Sequence, residues 1–202
     1  MPFNIQKLYF LPVKSISLTN SSNLHVQKNI GIKNDRIFAF TRNIGKKKSK
    51  IIEKIPKERN LNYFLTLRNS PFLNKYNFDM IENTLFFKLG NEVIVSINYT
   101  EENNYNILTK ELMKREDHIK DTYLLLNTKF PFFDTTPANS ISLINVNSIH
   151  DFENKINKSI ELERFRGNIY VNDLEPWEEF NFIGKNIFKM HLNCFTYIQK
   201  TP

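Results

Sequence analysis

The chain is 202 residues long, 41% hydrophobic and 24% charged, with a formal net charge of +7, which argues against a disordered polymer and leaves enough apolar side chain for one core or two smaller ones. The basic excess suits an anionic partner or cofactor. One cysteine, Cys194, excludes an intramolecular disulfide and a multi-cysteine metal site within one chain, and no apolar run reaches membrane-spanning length, so a cytoplasmic chain with no membrane partner is expected.

Ile5 to Phe10 alternates apolar and polar side chains, the period of a half-buried strand, and stops at Pro12. Pro12-Val13-Lys14-Ser15 follows as a tight polar corner. Leu24-His25-Val26 opens another strand, and Gly31 to Arg36 reads as a turn that delivers Asp35-Arg36 into Ile37-Phe38-Ala39-Phe40. That last run is apolar on both faces, the pattern of a buried central strand. Arg42 to Lys50, dominated by Gly45-Lys46-Lys47-Lys48-Ser49-Lys50, is expected to be a solvated loop holding much of the excess charge. Pro56 makes a second break. Tyr63 to Leu67 is a strand or the start of a short helix, too short for periodicity to decide.

Phe78 to Met80, Thr84 to Leu89 and Glu92 to Ile97 are expected as short strands, with turns at Glu82-Asn83 and Gly90-Asn91. From about Thr100 the pattern changes: Ile107, Leu108, Leu112 and Met113 sit at helical spacing within Glu101 to Lys120. A strand at Tyr123 to Leu126 leads to the loop Pro131 to Pro137, and Ser140 to Ile144 is another strand. A helix opens at Asn147, capped by Asn147 or Ser148 with Asp151 in its first turn. Ile169 to Val171 is a strand, Asp173 to Trp177 a turn, and Phe188 to Ile198 a last pair of strands or one long one. The fold class expected is mainly β (α+β), and short strands at this spacing suggest a barrel or a sandwich.

The stretch Glu163-Arg164-Phe165-Arg166-Gly167-Asn168-Ile169-Tyr170-Val171 places two arginines and an asparagine at the mouth of a strand, donors for an anion or a polar heterocycle. Alone it reads as a solvated basic strand start. Its company changes that: Pro12-Val13-Lys14-Ser15, Gly31 with Asn34-Asp35-Arg36, Phe133-Asp134-Thr135-Thr136-Pro137 before Ser140 to Asn145, Arg164 to Asn168, then Pro176-Trp177 and Phe182-Ile183-Gly184-Lys185. In that order they resemble the MOSC family, named for the C-terminal domain of molybdenum cofactor sulfurase. The likeness is to members with an N-terminal β-barrel domain, here residues 1–100, ahead of a MOSC β-barrel with peripheral helices, here residues 101–202.

The resemblance implies the molybdenum cofactor, a molybdopterin bearing a phosphate and a dithiolene. It implies either reduction of N-hydroxylated small molecules with electrons from a separate donor protein, or sulfur handling, with pyridoxal phosphate binding among the family's attributes. It assigns cofactor contacts to Lys14, Ser15, Arg36, Asp134, Thr136, Arg166 and Asn168. Gly167 departs from the proline that many members carry, which is expected to loosen the backbone, and Trp177 is expected to be a packing residue. The family's metal ligand is a cysteine directly after an arginine. Cys194 follows Asn193 inside a strand-like run, so the favoured expectation is that the chain stops short of the ligand segment and binds the metal weakly or not at all, the alternative being that Cys194 is the ligand of a divergent member. The alternative reading, a basic β-barrel binding single-stranded nucleic acid, is disfavoured by the spread of Lys14, Arg36, Asp134 and Arg166 over four loops.

Overall fold

A computed structural model describes residues 3–133, 141–184, 186–187 and 196–197. In chain order the strands and α-helices are β1 (Asn4–Phe10), β2 (Thr19–Asn20), β3 (Val26–Gln27), β4 (Gly31–Ile32), β5 (Phe38–Phe40), α1 (Gly45–Lys54), β6 (Tyr76–Ile81), β7 (Thr84–Leu89), β8 (Glu92–Asn98), α2 (Tyr105–Arg115), β9 (Leu124–Leu126), β10 (Leu143–Asn145), α3 (Val146–Ile156), β11 (Ile169–Asn172), β12 (Asn186–Ile187) and β13 (Thr196–Tyr197). The chain is mainly β with α-helices added, an α+β composition, and no closed barrel is traced among the described residues. Two compact units interleave along the sequence. The first comprises Met1–Phe10, Asn20–Lys33 and Asn139–Pro202, the second Leu11–Thr19 and Asn34–Ala138. Residue 100, where a change of domain is expected from sequence, falls inside the second unit.

In the first unit β11 lies between β1, antiparallel, and β10, parallel. Tyr170 and Val171 are fully buried, and Phe3, Ile169, Val171 and Leu174 form a core closed by Ile5, Leu8, Leu24, Ile141, Leu143 and Phe182. Ile5 and Leu8 both reach this core because the register of β1 shifts between Ile5 and Lys7, so the strict alternation expected over Ile5 to Phe10 is broken there. The helix after β10 begins one residue earlier than its sequence cues suggest. Asn145, not Asn147 or Ser148, is the cap, its side chain accepting from the Asn147 N–H at 3.1 Å, which leaves Asp151 beyond the first turn. Asn145 wins because its amide is held at both ends: Nδ2 donates to the Glu175 carbonyl at 2.8 Å and to Glu179 Oε2 at 2.9 Å. Most of the strand expected at Phe188 to Ile198 lies outside the described residues, but β12 pairs antiparallel with β13.

In the second unit β5 pairs antiparallel with β9 and bridges in parallel to Val13, and all three of its residues are fully buried, as its two-sided apolar pattern requires. Strands β6, β7 and β8 form an antiparallel meander whose turns carry positive φ at Glu82 and Gly90. Phe78 stacks on Phe87 with centroids 4.8 Å apart, and Phe40 packs tilted against Phe78 at 5.6 Å. The helix α2 buries Leu108 and Leu112; Tyr63 closes a 3₁₀ turn, Leu61–Tyr63, and Phe64 to Leu67 is extended only in one bridge from Phe64 to Thr41.

The charged loop expected at Arg42 to Lys50 is instead the start of α1. Ser49 and Ile52 face inward, and Ile52 packs with Ala39, Phe64, Leu125 and Phe132, with Ile44 against them. The Gly45 N–H, an orphan donor of the first turn, donates to Asp121 Oδ2 at 2.9 Å. Lysine is a good helix former, so a lysine run with isoleucines at one side supports a helix as readily as a loop. Pro56 ends it as expected, opening a short 3₁₀ turn.

Candidate functional site

Three segments of the second unit meet at one corner. The Arg36 N–H donates to the Leu11 carbonyl at 2.5 Å, the Lys14 N–H to the Phe38 carbonyl at 2.8 Å, and the Phe132 N–H to the Arg36 carbonyl at 2.7 Å. Lys14, 2% exposed, donates through Nζ to the Phe132 carbonyl at 3.0 Å and lies 5.7 Å from the Phe64 ring. The Arg36 guanidinium pairs with Asp35 and lies 5.1 Å from the Phe133 ring. Asp35 is 1% exposed and accepts the Leu11 N–H at 2.6 Å. The Asp35-Arg36 pair is therefore anchored in the interior at its acidic end, and Asp35 is a residue whose weight the sequence alone did not signal.

Ser15 and Arg36 both hold left-handed backbone, at φ 64° and φ 54°. Non-glycine residues seldom do so, and the conformation persists only where surrounding bonds enforce it. For Arg36 those bonds are the ones just described. Asp134 and Thr136, expected beside these residues, lie outside the described residues, as does Cys194. A further cation, Arg59, sits on the same segment: it donates to the carbonyls of Ile52, Glu53, Phe130 and Pro131 at 2.7 to 3.2 Å and stacks 4.1 Å from the Phe132 ring. Burial pulls its pKa down to about 10. Nothing in the local sequence distinguishes Arg59 from the other cations of that stretch.

Arg166 and Asn168 belong to the first unit. Arg166 closes the 3₁₀ turn Leu162–Phe165 in left-handed backbone, φ 52°. Asn168 is 1% exposed, and its side chain is committed to the fold: Oδ1 accepts from the Ser142 N–H at 3.1 Å and Ser142 Oγ at 3.0 Å, while Nδ2 donates to the Tyr9 carbonyl at 3.2 Å. Gly167 is no loosened joint. A Cβ there would stand 2.4 Å from Ile144 Cγ1 and 3.3 Å from Tyr170 Cε2, and its N–H donates to Tyr170 Oη at 3.1 Å. Arg164 makes no ion pair with Glu161 or Glu163. Glu163 instead takes Lys7 Nζ at 2.8 Å and the Tyr9 hydroxyl at 2.9 Å, and the Lys7 contact foremost holds its carboxyl below the usual range. Burial, then the bond to Glu163, pushes the Tyr9 phenol up, so Tyr9 stays a donor.

At the corner the partly exposed Arg36 guanidinium and the half-buried Ser15 hydroxyl are donors suited to oxyanions, with the Lys14 ammonium buried behind them on the Phe132 carbonyl. Among the described residues no group of three His, Cys, Asp or Glu could hold a metal ion, and no helix is long and apolar enough to cross a membrane. Comparison of the chain with protein-family models, with curated proteins and with solved structures finds no match in any of the three.

Proposed function

We propose that the chain is a MOSC-type protein built on β-barrel domains, and that the corner of Lys14, Ser15 and Arg36 holds the phosphate end of a molybdopterin cofactor. The observation that carries this reading is the meeting of residues 11–15, 35–36 and 132–133 through the bonds of Lys14 and Arg36. Lys14 supplies a fixed, desolvated charge. The Arg36 side chain, 21% exposed, supplies a fork of donors, and half-buried Ser15 a hydroxyl on a left-handed turn. Asp35 already neutralises part of that charge, so an arriving phosphate competes for Arg36. Asp134 and Thr136 are proposed to complete this side. Arg166 and Asn168, in the first unit, are proposed as cofactor contacts from the resemblance alone, and within that unit Asn168 ties the Ser142 and Tyr9 backbones.

When bound, the cofactor supplies redox or sulfur chemistry at molybdenum, with a separate protein as electron donor for reduction of a small molecule. The chain's own part is orientation and charge. Its described residues fit the anionic end of the group, and the thiol that would test the metal end is Cys194.

The reading is tested by expression in a host that makes the molybdenum cofactor, followed by pterin and molybdenum assays on the purified chain. Pterin should copurify and fall about tenfold in Arg36→Lys, which keeps the charge and loses the fork. Molybdenum lost in Cys194→Ser would place the ligand at that thiol. Pterin-free protein from a host that loads a control molybdoenzyme would overturn the reading.

A further inference from the structure

The helix α1 and its flanks carry nearly all of the chain's excess charge. From Arg42 to Arg59 there are eight Lys or Arg against two Glu, a local excess of +6 beside +7 for the whole chain. Because Ser49 and Ile52 are buried, the outward face is fixed, and helical spacing aligns Lys47, Lys50 and Lys54 along it. Lys50 is engaged by Glu53 and Glu102, but Lys46, Lys47, Lys54 and Lys57 make no ion pair with a described residue. Two large apolar side chains stand exposed at the end of this helix, Ile55 at 40% and Phe130 at 55%. Arg59 joins their positions, Nη2 on the Glu53 carbonyl at 3.2 Å and Nη1 on the Phe130 carbonyl at 2.7 Å.

We propose that this face is a docking surface for an anionic lipid bilayer, the lysines lying on the headgroups and Ile55 and Phe130 entering the interface. Charge complementarity selects an anionic surface, and three features select lipid over nucleic acid. The cations on the helix are lysines, point charges without the planar fork that reads phosphate and base edges. Tyr63 lies under Lys48 Nζ at 5.2 Å, and among the described residues of the second unit Phe130 is the single exposed aromatic, too few for the successive base stacking that holds single strands. Exposed aliphatic and aromatic side chains beside a basic helix gain from burial at a headgroup boundary and not from a sugar-phosphate backbone. The expectation of no membrane partner rests on the absence of an apolar run of spanning length, a criterion for crossing a bilayer that does not bear on a basic face lying upon one.

The test is flotation of the full chain with phosphatidylcholine vesicles, with and without phosphatidylserine, beside fluorescence anisotropy with a labelled single-stranded oligonucleotide. Binding should require phosphatidylserine and weaken with salt. The triple substitution Lys46→Gln, Lys47→Gln, Lys54→Gln should lower the partition coefficient on the order of a hundredfold, at about fivefold per lysine, with the thermal midpoint unchanged because all three side chains are exposed. Phe130→Ser should weaken binding about fivefold with the same salt slope. Equal partition onto neutral vesicles, indifference to the triple substitution, or oligonucleotide binding without vesicle binding would each overturn the proposal.

Discussion

Glu116 is 3% exposed and accepts the Tyr76 hydroxyl at 2.5 Å and Lys75 Nζ at 2.7 Å. Burial opposes its ionisation, yet the bonds from Lys75 and Tyr76 outweigh burial and hold its carboxyl below the usual 4.5. A carboxyl depressed in the folded state stabilises fully above its unfolded value, and that contribution disappears as pH falls through the folded one. Glu116→Gln should therefore cost about 1 to 3 kcal/mol near neutrality in urea unfolding, with the difference from the parent shrinking as the solution is acidified. A gap that is the same at every pH would remove the carboxylate from the explanation. Gly167→Ala should cost about 1 to 3 kcal/mol by overpacking, and Ile144→Ala in the same chain should recover part of it, since Ile144 Cγ1 is the nearest atom. Additive costs in that cycle would mean that the clash is not the cause. Neither effect was legible in the sequence. Gly167 is expected to loosen the backbone because it stands where the resembled family carries proline, and the atom that makes a side chain costly there, on Ile144, lies 23 residues away in the chain.

Among the elements, those with a local cause were the ones the sequence revealed. Strands β6 to β8 have their turns written at Glu82-Asn83 and Gly90-Asn91, and β5 shows burial on both faces in Phe38-Ala39-Phe40. Helix α1 was hidden because charge and helical spacing compete in the same ten residues, and the spacing of Ile44, Ile51, Ile52 and Ile55 loses to five lysines when composition is read first. The buried isoleucine is the deciding contact. Ile52→Ala should cost about 2 to 5 kcal/mol in thermal or urea unfolding, whereas Lys47→Ala on the outward face should leave stability within about 0.5 kcal/mol. Equal losses at the two positions would mean that α1 is not held by its inner face. The candidate site was legible to the same degree. Lys14, Ser15 and Arg36 are marked in the sequence through the resemblance and not by their own chemistry, while Asp35 and Arg59, which fix Arg36 and the Phe132 segment, act through partners distant in sequence, Leu11 and Phe130.

At the scale of the molecule, the pairing that builds the first unit joins Asn4 to Asn172 and Leu8 to Ile169. No local pattern announces such a partner, which is why a division into consecutive halves is the natural reading of the sequence and interleaving is not. The same registry has a meaning for the chain as it is made. On the ribosome β1 emerges before β11 and has no such partner until roughly 160 further residues have followed, a wait of about 8 to 30 s at ordinary elongation rates. For that interval its apolar face and unpaired backbone edge are open to chaperones or to other nascent chains. Stalled nascent chains ending before Ile169 should yield to a protease at β1, and chains long enough to expose Asn172 outside the exit tunnel should resist it. Early resistance would show that β1 is sheltered by something other than β11.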